Sequence, residues 1–152
     1  EWRCTFRAND CGIANQDRMP ANFTLLPHGE LFGEHGLYYL ESSQCTNSGA
    51  RLMTPYFRWG PRTRAVCLTI RYVVFGSGFR RILALKQDRS NTMLWSDKSP
   101  ITGRWHQKYI DALVIPEQPV RFFLEARFSQ VSDRAGFLAI SEFTLRDSYC
   151  PR

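Results

Sequence analysis

Between residues 120 and 128 the chain alternates: Val120, Phe122, Leu124, Ala126 and Phe128 fall on one face, and Arg121, Glu125 and Arg127 on the other. That period of two is the signature of a strand with one side in a core and the other toward solvent. Turn residues follow over 129–136, then a second apolar run at 136–140, a short one at 143–145, and a closing cysteine, Cys150. The rest of the chain reads as strands that cover this ribbon.

Upstream, strands are predicted at 37–40, 50–54, 81–86, 92–95 and 105–115, and a strong one at 66–75. In that last run Leu68, Ile70, Tyr72 and Val74 oppose Cys67, Thr69, Arg71 and Val73. Residues 81–86 read as its return strand after the turn at Gly76. Residues 1–36, punctuated by Pro20, Pro27, Gly29 and Gly33, read mostly as loop, with short strands at 3–6 and 23–26. Nothing keeps a helical period over three turns. Roughly nine short strands separated by turn residues are the pattern of an all-β sandwich or barrel.

The 152 residues suffice for one domain with its own core, and 1–152 is taken as a single unit. An abrupt start at Glu1 and a stop just past Cys150 read as a segment cut from a larger protein. No apolar run approaches the ~20 residues of a membrane span. Five cysteines in a small strand-rich domain point to an oxidising compartment, and sequence alone does not choose their pairing. Asn22-Phe23-Thr24 is an N-glycosylation sequon, which fits a secreted glycoprotein.

The formal charge is +6, but the cations are dispersed and no zinc-finger or RNP signature accompanies them, so nucleic acid is not the expected partner. Outside the cell a basic surface meets sulfated glycans, acidic lipids or acidic proteins. Arg58, Arg62 and Arg64 share a connector with Trp59, and Arg80 with Arg81 follows the next turn, giving a candidate basic binding surface in two clusters. If residues 66–75 and 81–86 form a hairpin, those clusters sit at its opposite ends. His28, Glu30, Glu34 and His35 lack any metal-site spacing and read as a solvated loop; His106 reads as a packed side chain. Neither a nucleophile elbow nor a phosphate loop nor a paired-acid motif is present, so catalysis and a cofactor are not expected.

A set of signposts runs nearly the length of the chain: Cys4-Thr-Phe6, Cys11-Gly12, Gly36-x-Tyr38, Ala50-x-Leu52-x-x-Pro55, Cys67-Leu-x-Ile-x-Tyr72, Leu94-Trp95, Trp105 and Gly136-x-Leu-Ala-Ile140 before the last cysteine. In order and spacing they resemble the MAM domain, the extracellular module named after meprin, the A5 antigen and receptor phosphatase mu. The resemblance implies a jelly-roll-like β-sandwich of two antiparallel sheets, with Cys4 bonded to Cys11 and Cys67 to Cys150. Cys45 is then left over in a polar loop, as a free thiol, as an intersubunit bond of the kind that joins some members of the family, or bonded to another part of the same protein.

One feature of that family is altered here. Many members hold a cation near the N-terminus with a Glu after the Phe of the first motif, an Asp before a Trp, and the Asp of an Ile-Asp-Asp/Glu segment. The corresponding positions read Arg7, Asn22-Phe23 and Ser141-Glu142. Calcium prefers several carboxylate oxygens, so no calcium is expected, and Arg7 is expected to pair with Glu142 instead. An Asn22 facing that pocket would leave its sequon unused.

Taken together, the sequence predicts a non-catalytic extracellular adhesion module of a secreted or membrane-anchored receptor, acting on a protein partner, homophilic or heterophilic. The alternative is a module that binds a heparan-sulfate-type glycan through basic loops.

Overall fold

A computed structural model describes residues 1–41, 49–76, 79–98, 103–128 and 136–151. Its strands are β1 (Trp2–Cys4), β2 (Ala14–Asn15), β3 (Thr24–Leu31), β4 (Glu34–Glu41), β5 (Gly49–Met53), β6 (Phe57–Arg58), β7 (Ala65–Phe75), β8 (Phe79–Gln87), β9 (Asn91–Asp97), β10 (Trp105–Leu113), β11 (Pro119–Phe128) and β12 (Phe137–Arg146). They form two antiparallel sheets that face each other as a sandwich. The first runs β10-β7-β12-β4-β3, with β1 also on β12; the second runs β2-β5-β11-β8-β9, with β6 also on β11.

The alternation in the sequence decides which faces meet. Val120, Phe122, Leu124 and Ala126 of β11 are buried against Leu68, Ile70, Tyr72 and Val74 of β7 in one cluster. Each valine, leucine, isoleucine or phenylalanine among them contributes about 1.5–3 kcal/mol on leaving water. The first sheet has a second, smaller cluster on its outer face. There Leu37, Val73 and Ala139 are buried beneath Leu26, Leu31, Tyr39, Trp105 and Phe137.

The roof over that cluster is the tip of the β3–β4 hairpin. The β3–β4 register slips between Leu26 and Glu30, and the tip reaches across the sheet, so that the Trp105 indole N–H donates to the Leu31 carbonyl at 3.2 Å. The sequence reading placed this stretch in a loop because of Pro27 and Gly29. As the outermost strand, β3 tolerates both, since an edge strand can spare a proline's missing N–H and a bulge suits glycine.

Two other expectations are corrected. Residues 81–86 are not the return partner of 66–75: β7 pairs with β10 and β12, β8 pairs with β11 and β9, and the chain changes sheets between them. Both strands bury apolar side chains toward the same interior, which suits opposite layers of a sandwich. The runs at 136–140 and 143–145 are one strand, β12, with a register shift between Ile140 and Glu142 that leaves Ser141 as the extra residue. At this bulge β12 changes partner, from β4 for Phe137 to Ile140 to β1 for Phe143 to Leu145.

Candidate interaction surfaces

Two disulfides fix the ends of the fold. Cys4–Cys11 closes a short N-terminal loop, and Cys67–Cys150 ties the middle of the first sheet to the chain's last turn across a sequence separation of 83. This is the pairing that the family resemblance implied. Cys45 falls in residues 42–48, outside the described residues. Asn22 is exposed beside the buried Phe23, whose backbone is bracketed by the Asn15 side chain through bonds of 2.7 and 2.9 Å. The sequon therefore points to solvent rather than into the pocket considered next.

That pocket, about 240 Å³, lies where β12 changes partner. Thr5 and Arg7 line it from the segment after β1, Glu34 and His35 from the hairpin tip, and Ser141 and Glu142 from the bulge; Arg3, Arg71 and Gln107 complete the wall. The Thr5–Arg7 backbone is held close to β4, because a Cβ on Gly36 (φ +82°) would lie 2.8 Å from the Thr5 carbonyl oxygen. Glu142 does not pair with Arg7 as expected. The Arg3 guanidinium, one strand pair away on β1, reaches it first at 2.6 Å, while Arg71 is held by Glu34 and lies over the Trp105 ring.

The candidate basic residues are separated by the length of β11. Arg58 sits opposite Pro119 at its start and Arg81 opposite Arg127 near its end, roughly 25 Å apart at strand rise. Arg62 and Arg64 are exposed near Arg58. Arg81 is half-buried and donates to Ser96 Oγ at 3.2 Å; nothing is described of the Arg80 side chain.

A different basic cleft, about 580 Å³, opens where the edges of the two sheets meet. Trp95, Ser96 and Asp97 of β9 face His106 and Lys108 of β10, with Lys98 and Arg104 at the rim. Behind these residues the fully buried Tyr72 packs its ring 5.3 Å from His106 and 5.9 Å from Trp95. The Tyr72 hydroxyl donates to Asp97 Oδ2 at 3.1 Å. Burial, followed by the Asp97 charge and hydrogen bond, pushes that phenol well above its ordinary pKa, so it stays a donor. Sequence reasoning missed this group because β9 and β10 belong to different sheets; the i, i+2 spacing of His106 and Lys108 was the only signal.

The outer face of the first sheet ends in a row of rings. Phe32 lies 6.3 Å from Phe75, Phe75 stacks on Phe137 at 5.4 Å, and Phe137 lies 5.3 Å from Tyr39. Phe32 is 54% exposed and Phe75 48%. These residues come from three hydrogen-bonded strands and one hairpin tip, and no local motif announced them.

A family model described as "MAM domain, meprin/A5/mu" matches residues 4–151. A sequence search of curated proteins returned no match. Among solved structures the chain is similar to the N-terminal cellulose-binding domain of a Cellulomonas fimi β-1,4-glucanase, with TM-score 0.60 and 11% identity over 97% of this chain and 95% of that one. A xylan-binding domain from Paenibacillus barcinonensis gives 0.65 and 10% over 99% and 95%. The K1 cleaved adhesin domain of Lys-gingipain from Porphyromonas gingivalis gives 0.59 and 15% over 97% and 98%. At such identities the likeness is one of fold.

Proposed function

The chain belongs to the MAM family, and on that premise we propose that it is a non-catalytic extracellular module that recognises a protein partner, a second copy of itself or a different chain, within a larger secreted or membrane-anchored protein. The observation that carries this reading is the row Phe32, Phe75, Phe137 and Tyr39. Contiguous apolar surface of this kind marks contact sites on otherwise polar domains, and aromatic anchors dominate interface energetics. Residues 42–48, which carry Cys45, follow directly on Glu41, the register partner of Phe137. An intersubunit bond through Cys45 would join two copies covalently.

Light scattering on a sizing column, with and without mild reductant, tests the proposal on the wild type and on a Phe32→Ser, Phe75→Ser variant. A dimer that separates under reductant places Cys45 in an intersubunit bond. A dimer lost in the variant places the contact on the rings. A monomer in every run removes self-association and leaves a different chain as the partner, and a variant that keeps all association overturns the choice of surface.

The cleft supports a second reading, a glycan partner. A half-buried indole between Lys98, Arg104 and Lys108 offers an apolar face for a sugar ring and cations for its sulfates, and relatives in fold are named for binding cellulose and xylan. Elution from heparin below ~0.3 M salt, unchanged by Lys98→Ala, Arg104→Ala and Lys108→Ala together, would sink it, because multi-charge contacts depend steeply on salt.

A further inference from the structure

We propose that the pocket at the β12 bulge binds an oxyanion, a sulfate or carboxylate group, on Arg7 and Ser141. Three guanidinium groups, Arg3, Arg7 and Arg71, line it against two carboxylates, Glu34 and Glu142. Each carboxylate is already taken, Glu142 by Arg3 and Glu34 by Arg71. Arg7 is exposed and has no ion-pair partner among the described residues, which leaves the pocket with one positive charge in excess.

Ser141 supplies the second, independent sign. It is 4% exposed, and its hydroxyl has no hydrogen-bond partner among the described residues. A buried hydroxyl without a partner loses its hydration and gains nothing in return. It stays unpaired because the bulge sets Ser141 opposite no residue of β7, at the point where β4 ends its pairing with β12 and β1 has yet to begin. Bulges of this kind commonly re-aim a side chain at a site.

What the pocket lacks is therefore an acceptor with negative charge. A cation would meet the guanidinium excess and would compete with Arg3 or Arg71 for either carboxylate. A water could accept from Ser141 but brings no negative charge to set against the excess of guanidinium groups. An oxyanion accepts from both, with the short, strong bonds of a charged acceptor, and 240 Å³ leaves room for the group that carries it.

The test is a titration of the whole domain with sodium sulfate, sodium acetate and calcium chloride, followed by amide NMR, with thermal unfolding alongside. Sulfate or acetate should give saturable shifts at Arg7 and Ser141, the stronger of the two telling a tetrahedral group from a planar one. Arg7→Gln, a surface change, should weaken that binding about tenfold or more. Ser141→Ala should abolish the saturable shift and raise the melting temperature in oxyanion-free buffer, because the unpartnered hydroxyl is gone. Sulfate raises the stability of folded proteins in general by exclusion from their surface, so only the saturable shifts and their loss in the variants count as binding. Saturable shifts with calcium, shifts that persist unchanged in Arg7→Gln, or no saturable shift with either anion would overturn the proposal.

Discussion

Glu125 lies on the side of β11 that the alternation assigns to solvent, yet it is 4% exposed. Arg51 covers it from β5, donating to Oε1 from Nε at 2.7 Å, and Arg127 donates to Oε2 at 2.8 Å. The same arginine layer closes over Phe123, with Arg51 and Arg121 each 5.1 Å from its ring, and Arg121 also lies 4.7 Å over Tyr56. Alternation tells which face a side chain takes, but it cannot tell that long cationic stems will roof that face. Glu125→Gln keeps the shape and removes the charge that two guanidinium groups share. It should cost about 1.5–3 kcal/mol, the range for hydrogen bonds to charged groups, measured as a lower urea midpoint at unchanged slope.

Strands with strict alternation were legible as elements. For β7 and β11 the inward faces read from the sequence, Leu68 to Val74 and Val120 to Ala126, are the faces that meet. What stayed hidden depended on partners far along the chain: that β3 is an edge where Pro27 does no harm, that β7 and β8 part into different sheets, and that Ser141 is an extra residue inside one strand. The β8–β9 turn makes its own test at this scale. Burial alone would push the Asp88 carboxyl up, but the hydrogen bond from the Ser90 amide at 3.2 Å and the Lys86 ammonium at 3.3 Å outweigh it and hold the group below its ordinary range. A depressed carboxylate stabilises the fold above its unfolded pKa, about 3.9, and that contribution is lost as pH falls through the lower folded value. Asp88→Asn should therefore melt below the wild type at about pH 7, and the gap should narrow as the pH falls below the unfolded value and through the depressed folded one.

Over the whole molecule, strand count and spacing made an all-β sandwich or barrel legible, and the family resemblance made the sandwich and both disulfides so. The candidate surfaces were not, because the ring row and the β9–β10 cleft exist only once strands from distant parts of the chain lie side by side. The two cross-links should differ in weight. By the chain-entropy relation the separation of 83 at Cys67–Cys150 corresponds to about 4.5 kcal/mol, and the separation of 7 at Cys4–Cys11 to about 2.4. Removing both cysteines of each pair in turn, with urea unfolding as the readout, should show the former as the greater loss.

The long cross-link also decides how the module bears load. β1 and β12 lie side by side, with Glu1 and Arg146 paired at 3.2 Å, so the backbone enters and leaves the sandwich at one place. Tension arriving at Cys150 passes through sulfur to Cys67 in β7, a strand held on both edges by β10 and β12. The segment between the two cysteines, which would pay out about 280 Å if pulled straight, is shielded from extension while the bond is oxidised. A thiol reductant is thus a mechanical release, turning a stiff module into one that can lengthen under load.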